Sequence, residues 1–178
     1  MFRYGIDTLD VSKMMQIASG DLKAVITKDA RLQVDISRSR VEKMASGKRA
    51  IYGVNTGFGP LCDTRITPAQ TSTLQNNLLV SHAVGVGGSI DSMLSKIMMI
   101  CKVHALCQGH SGIRIEVVER IVYFIENNLL PIVPEQGSVG ASGDLAPLSH
   151  MFITLLGLGE FAVKGEIITA KEVHSHHN

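Results

Sequence analysis

The sequence predicts a mainly α-helical protein. Through most of its 178 residues, apolar side chains recur with the period of 3.6 that marks one face of a helix, and few segments alternate as strands do. Glycine and proline fall between these periodic segments, where they end one helix and precede the next. Hydrophobic residues make up 45% of the chain, and its length suffices for one domain with a core.

Each expected helix is bounded by a capping residue, a proline or a glycine. Gly20 and Gly47 end the first two helices, and Pro68 suits the first position of the third. Ser89 or Asp91 can cap the fourth. The expected helices cover residues 8–19, 28–46, 67–84, 92–107, 115–128 and 145–158.

The remaining segments are expected to be loops and one hairpin. Residues 52–68 contain three glycines and two prolines with no sustained period, and they predict a long functional loop. Pro131 and Pro134 predict an extended link, and residues 160–173 predict a small β-hairpin around Lys164 and Gly165, followed by a histidine-containing tail.

The helix at 92–107 is apolar nearly all round, which is typical of a helix buried in a larger bundle. A chain of 178 residues offers it few partners. We therefore expect exposed apolar surface.

Charge and cysteine content exclude several classes of function. Lys and Arg number 17 against 16 Asp and Glu, so no bulk charge points to nucleic acid or to an anionic membrane. Cys62, Cys101 and Cys107 form no CxxC pair and suit no zinc site, which favours a reducing compartment. The chain shows neither a signal peptide nor a membrane-spanning apolar run, so we expect a cytoplasmic protein.

Histidines near the end of the chain do not predict a metal site. Their spacing matches no standard ligand set, and a terminal histidine cluster is more often a solvated tail. The residues concerned are His174, His176 and His177. We expect no metal.

The stretch "GSVGASGDLAPLSH", residues 137–150, is the most unusual in the sequence. Asp144 follows Gly143 where a phosphate-binding loop needs lysine, and its charge would repel phosphate. The glycine spacing does not match the dinucleotide fingerprint, and Asp144 also replaces the second glycine of a GxSxG nucleophile motif. No nucleotide is expected. Taken locally, the stretch could be a tight turn into a helix capped by Asp144.

The whole string, however, resembles the signature of the aromatic amino acid ammonia-lyase family, most closely its histidine ammonia-lyase branch. The resemblance implies that Ala141, Ser142 and Gly143 cyclise into a 4-methylideneimidazol-5-one group, an electrophile made from the chain itself. Side chains would obstruct a backbone folded into a five-membered ring, which explains so bare a loop. The resemblance also gives Asp144 a role in cyclisation, by holding the loop compressed.

Two further motifs resemble the family in the expected order. "YGVNTGFGPL" resembles the loop that carries the catalytic tyrosine, here Tyr52, a general base that needs a pKa well below 10. "LQNNLLVSHAVGVG" resembles the segment lining the substrate pocket, with Ser81 and His82 at the positions that select the substrate. Asn77 is a further substrate-binding candidate.

Other amides near these motifs, Asn55 and Gln75, could also orient the substrate or the tyrosine. Amides in turns and helices are more often local caps.

The Ser-His pair implies L-histidine as the substrate, deaminated without oxidation to trans-urocanate and ammonia. An imidazole of the protein can hydrogen-bond an imidazole of the substrate. An alternative within the family is a tyrosine or phenylalanine ammonia-lyase or an aminomutase.

Family members are several-fold longer and assemble as homotetramers. The resemblance therefore implies that residues 1–178 are the N-terminal part of the helical-bundle fold of an ammonia-lyase, with 137–150 as prosthetic-group loop and helix start. Part of the substrate site is then expected beyond residue 178, in a C-terminal half. The alternative is a non-catalytic truncated fragment or one subunit of a split enzyme.

Overall fold

The computed structural model describes residues 1–59 and 62–176, and it confirms the mainly α-helical fold. The chain divides into two compact units. Unit 1 comprises Met1–Leu74 and Met99–Tyr123, and unit 2 comprises Gln75–Met98 and Phe124–Asn178. The helices α3 (Pro68–His82), α4 (Ser92–Leu106) and α5 (Ile115–Glu126) each contribute residues to both units.

Unit 1 begins with two short strands and two helices, and each helix starts at a residue whose side chain caps it. The parallel strands β1 (Phe2–Arg3) and β2 (Ala24–Val25) flank α1 (Val11–Ser19), and α2 (Lys28–Ser46) follows. The Asp10 carboxylate accepts the N–H of Lys13 at the start of α1, over 2.8 Å. The Thr27 hydroxyl accepts the N–H of Ala30 at the start of α2, over 3.2 Å. The predicted helices are confirmed, whereas two-residue strands carry no recognisable sequence pattern.

The core of unit 1 is formed by the apolar faces of these helices. Along α2, Ala30 and Val34 are buried four positions apart, and the next turn places the Ser37 hydroxyl against the N–H of Gly112 at 3.0 Å. Phe2 and Tyr4 are also buried, with their rings edge to face at 5.8 Å. The helical period in the sequence thus identifies the face that is buried.

Unit 2 contains a strand pair that the sequence analysis missed. The segment β3 (Val86–Ser89) pairs antiparallel with β5 (Pro134–Gln136), with Val86 opposite Gln136. We expected the glycines at 85–88 to end a helix and the proline segment to form only an extended link. Every residue of β3 is exposed, so backbone pairing holds the strand and no apolar alternation marks it.

The predicted hairpin is confirmed. Strand β6 (Glu160–Val163) pairs with β7 (Glu166–Thr169) and, on its other edge, with β4 (Leu130–Pro131). Lys164 and Gly165 both have positive φ, 51° and 88°, as a two-residue hairpin turn requires. Phe161 of β6 is fully buried and contacts the ring of Phe124 edge to face, with centroids 5.0 Å apart.

Of two expectations near the end of the chain, the helix is confirmed with a slightly earlier end, and the tail is wrong. The helix expected over 145–158 is α6 (Leu145–Ile153), which tightens into a 3₁₀ turn over Thr154–Leu156 and ends at Gly157. The expected tail is instead α7 (Ala170–His176). Its His174 is half-buried, and Nε2 lies 2.7 Å from the Thr154 carbonyl oxygen. His177 lies outside the described residues.

The fourth helix is less buried than its composition predicted. One face of α4 is buried, including Met99, Ile100 and Val103, whereas Leu94 remains 52% exposed. Val84 and Val86 are also exposed, which agrees with the expected apolar surface. Among the described residues, no helix is long and apolar enough to cross a membrane.

Candidate active site

The glycine-rich loop of residues 137–144 is closed by a hydrogen bond between its ends. The Ser138 hydroxyl donates to the carbonyl oxygen of Gly143 over 2.6 Å. Gly140 and Gly143 adopt φ of 80° and 72°, the left-handed region that glycine enters without a steric penalty. Ala141 and Ser142, which lie between these glycines, are exposed.

Asp144 occupies the N-cap position of α6, but its side chain makes no capping hydrogen bond. Its backbone carbonyl accepts the N–H of Leu148, over 3.0 Å. A helix entry capped by the Asp144 side chain is therefore wrong as an explanation of this stretch.

The end of α3 carries the candidate substrate-pocket residues. Nδ1 of His82 lies 2.8 Å from the carbonyl oxygen of Leu78, one turn earlier, and 3.1 Å from the Ser81 hydroxyl. That hydroxyl also donates to the Leu78 carbonyl, over 3.2 Å. Asn77 and Ser81, four positions apart, lie on the same exposed side of α3. Gln75 is exposed as well.

Unit 2 brings the segment after His82 against both ends of the glycine-rich loop. Before the loop, a Cβ added to Gly137 would lie 2.9 Å from the Cα of Gly85. After the loop, Nε2 of His150 in α6 accepts the backbone N–H of Gly85 over 2.8 Å, and burial lowers the pKa of His150. Sequence reasoning missed His150, because nothing near it in the chain identifies a partner 65 positions away.

Tyr52 lies in unit 1, in the long loop that the sequence predicted. Its side chain is 62% exposed, and its ring meets that of Phe58 edge to face with centroids 5.8 Å apart. Between them, the N–H of Gly53 donates to the Thr56 hydroxyl over 3.3 Å. The loop is therefore ordered by its own contacts.

Asn55 is buried within that loop, and its side-chain amide hydrogen-bonds to the backbone just before Tyr52. Its Oδ1 accepts the N–H of Ile51 over 2.8 Å, and its Nδ2 donates to the carbonyl oxygen of Arg49 over 3.0 Å. Only 3% of Asn55 is exposed. Its amide holds the residue before Tyr52, so Asn55 acts as a local cap.

The described part of the chain contains no cluster of potential metal-ligating side chains. Within residues 1–59 and 62–176, no group of three or more His, Cys, Asp or Glu side chains is arranged to hold an ion.

Comparison with known proteins places the chain in a family. The model of the aromatic amino acid lyase family matches residues 9–178. The histidine ammonia-lyase of Shewanella woodyi is 42% identical over 93% of this chain, and that of Symbiobacterium thermophilum is 43% identical over 92%. The chain spans about a third of the length of these relatives, 32% in each case.

Solved structures agree with this result. The histidine ammonia-lyase of Trypanosoma cruzi superposes with a TM-score of 0.86 at 30% identity, over 98% of this chain and 34% of its own. The tyrosine aminomutase of Streptomyces globisporus gives 0.88 at 27% identity, over 99% of this chain and 33% of its own. With a family match over nearly its whole length and relatives above 40% identity, the chain belongs to the aromatic amino acid lyase family.

Proposed function

We propose that this chain is the N-terminal part, residues 1–178, of a histidine ammonia-lyase, which converts L-histidine to trans-urocanate and ammonia. The observation that carries the choice of substrate is the hydrogen bonding of His82. Support also comes from two histidine ammonia-lyases that are 42% and 43% identical over more than nine-tenths of this chain.

The bond between His82 and Leu78 selects one tautomer. A carbonyl oxygen only accepts, so Nδ1 of His82, 2.8 Å from the Leu78 carbonyl, carries the proton. Nε2 then keeps a lone pair and accepts a hydrogen bond. The imidazole N–H of a histidine substrate is a matching donor, whereas the ring of phenylalanine has none. The exposed Ser81 and Asn77, on the same side of α3, supply further polar contacts to the substrate.

The glycine-rich loop fits the self-derived prosthetic group. Cyclisation requires small residues and a sharply turned backbone, and Gly143 has φ of 72° beside Ala141 and Ser142. The three residues that become the 4-methylideneimidazol-5-one group would hold it covalently, with Asp144 at the start of α6. When formed, the group supplies an electrophilic methylidene carbon that promotes loss of the substrate amine.

Tyr52 acts as the general base in this proposal. The assignment rests on the motif "YGVNTGFGPL", which resembles the loop that holds the catalytic tyrosine of the family. Its phenolate oxygen accepts a proton from the β-carbon of the substrate. Tyr52 is 62% exposed, so the residue is not enclosed in a core.

The proposal also includes a C-terminal part and an oligomeric state for the whole enzyme. A C-terminal part supplies the remaining substrate contacts, and the whole enzyme is a cytoplasmic homotetramer. The exposed Val84, Val86 and Leu94 agree with a surface that other parts of the enzyme cover.

A second candidate, an aminomutase or lyase acting on tyrosine or phenylalanine, is favoured by one observation. The tyrosine aminomutase structure superposes with a TM-score of 0.88. Its identity of 27% is well below the 42% of the histidine ammonia-lyase relative. A non-catalytic fragment is the remaining alternative.

The deciding experiment combines mass spectrometry with a product assay. We expect the intact chain to lack two waters, with the deficit in the peptide containing residues 141–143. We also expect urocanate when the chain is mixed with the C-terminal two-thirds of the Shewanella woodyi relative. Product from tyrosine instead of histidine would favour the second candidate. A full mass and no product would favour the non-catalytic fragment.

A further inference from the structure

The side chain of Ser138 joins the two ends of the loop that carries the proposed cyclising residues. Its hydroxyl donates to the Gly143 carbonyl oxygen over 2.6 Å, with residues 139–142 between them. The contact thus closes a short loop of backbone around Ala141 and Ser142.

The proposed cyclisation, on which this inference rests, leaves the accepting atom of that bond intact. The Gly143 nitrogen bonds to the carbonyl carbon of Ala141. The first water takes the Ala141 carbonyl oxygen with the amide hydrogens of Ser142 and Gly143. The second takes the Ser142 hydroxyl with its Cα hydrogen. The Gly143 carbonyl oxygen is in neither water, so Ser138 can hold it before, during and after ring closure.

Holding one end of the tripeptide removes freedom that would oppose ring closure. The Gly143 nitrogen must approach the Ala141 carbonyl carbon closely, and a free glycine samples many φ and ψ values. A donor on the Gly143 carbonyl restricts the rotation of that residue and keeps φ at 72°. Asp144, by contrast, makes no capping hydrogen bond that would fix this end of the loop.

We propose that Ser138 is a positioning residue for formation of the prosthetic group, because its hydroxyl holds the Gly143 end of the tripeptide in the turned conformation from which cyclisation proceeds.

The first test compares the rate of water loss in variants of the full chain. Each chain is made by cell-free synthesis, and its intact mass is followed from the end of synthesis. Ser138→Ala removes the hydroxyl, and Ser138→Thr keeps it. Ser175→Ala is the matched control, because the Ser175 hydroxyl donates to the Glu172 carbonyl over 2.7 Å, within α7.

We expect Ser138→Ala to slow the loss of two waters by about tenfold, which corresponds to one neutral hydrogen bond. Ser138→Thr should cyclise within about twofold of wild type, and Ser175→Ala at the wild-type rate. A wild-type rate for Ser138→Ala would overturn the proposal. Equally slow Ser138→Ala and Ser138→Thr would also overturn it, because packing rather than the hydroxyl would then be responsible.

A second measurement does not depend on the ring. In a Ser142→Ala background, which has no hydroxyl to eliminate, the ¹³C resonance of the Gly143 carbonyl reports the hydrogen bond directly. We expect Ser138→Ala to move this resonance, Ser138→Thr to leave it nearly in place, and Ser175→Ala to leave it unchanged. An unmoved resonance in Ser138→Ala contradicts the Ser138 proposal, whereas a wild-type chain of full mass contradicts the proposed function, so the two failures are distinguishable.

Discussion

Nε2 of His150 accepts the backbone N–H of Gly85 over 2.8 Å, which ties the first turns of α6 to the chain three residues after His82. The same ring limits the space around Gly85, since a Cβ there would lie 3.0 Å from Nε2. One imidazole therefore fixes the distance between the segment after α3 and the helix that follows the glycine-rich loop.

Replacing His150 should separate the hydrogen bond from simple packing. We expect His150→Leu to lower the free energy of unfolding by about 1–3 kcal/mol, because the Gly85 N–H loses its acceptor. His150→Gln should lose less, since its amide oxygen can accept the same N–H. Urea denaturation measures both variants. Equal losses would show that the hydrogen bond contributes nothing.

Acid should destabilise the fold through two imidazoles. Burial lowers the pKa values of His104 and His150 from 6.5, although Asp7 opposes this shift at His104, and each ring accepts a backbone N–H. The unfolded chain therefore binds more protons than the folded chain as the pH falls below 6.5, and stability decreases toward acid.

Urea midpoints at pH 7.5 and 5 would measure this loss. The double variant His104→Asn and His150→Gln keeps both acceptors and removes both titrations. Its midpoint should change less between the two pH values. An equal change would place the acid sensitivity elsewhere in the chain.

Tyr52→Phe should abolish turnover and leave the fold intact. Loss of a general base costs about 10²–10⁴-fold in rate. The hydroxyl belongs to a side chain that is 62% exposed, so stability should change little. Urocanate formation by the chain complemented with a C-terminal part measures the effect. Tyr123→Phe is the matched control, and full turnover of Tyr52→Phe would exclude the base role.

His82→Leu should change the substrate preference. The variant loses the acceptor for the imidazole N–H of histidine, so kcat/KM for histidine should fall by about 10–100-fold, and the ratio of phenylalanine to histidine turnover should rise. His110→Leu, at an exposed position between α4 and α5, is the control. An unchanged preference in His82→Leu would move substrate recognition to other residues.

Two glycines of the loop allow a steric test. Gly140 and Gly143 have φ of 80° and 72°, so alanine imposes a similar backbone penalty of about 1–2 kcal/mol at each. A Cβ at Gly143 would also lie 2.9 Å from the Ser138 hydroxyl, whereas at Gly140 it would meet open space. We expect both variants to cyclise more slowly than wild type, and Gly143→Ala to be about tenfold slower than Gly140→Ala because its added Cβ displaces the Ser138 hydroxyl from the Gly143 carbonyl. Equal rates would contradict the steric argument.

Local features of the fold were predictable because their signals are local. Thr27 precedes α2 as a cap, and Lys164-Gly165 separates β6 from β7, so the residues that determine each feature are adjacent in the chain. One local signal was missed. Thr169 and Glu172 exchange hydrogen bonds as a capping box, which could have predicted α7.

Long-range features could not be predicted in the same way. The pairing of β3 with β5 and the bond between His150 and Gly85 join segments whose local patterns do not identify their partners. Of the proposed site residues, the resemblance supplied Tyr52, His82 and the tripeptide, among others. It did not identify Ser138, whose role follows only from the closed loop.

The pairing of β3 with β5 also has a consequence for the order of folding. Val86 and Gln136 are about 50 positions apart, so closing that loop costs on the order of 3 kcal/mol in chain entropy before the length-independent constant. Burial of apolar side chains in the intervening helices, such as Ile100 of α4 and Ile121 of α5, contributes to offsetting this cost. The glycine-rich loop starts directly after β5, so the pairing of β3 with β5 fixes the end from which the loop leaves. Under the proposed function, the irreversible loss of two waters would therefore record, in each molecule, that β3 and β5 had paired.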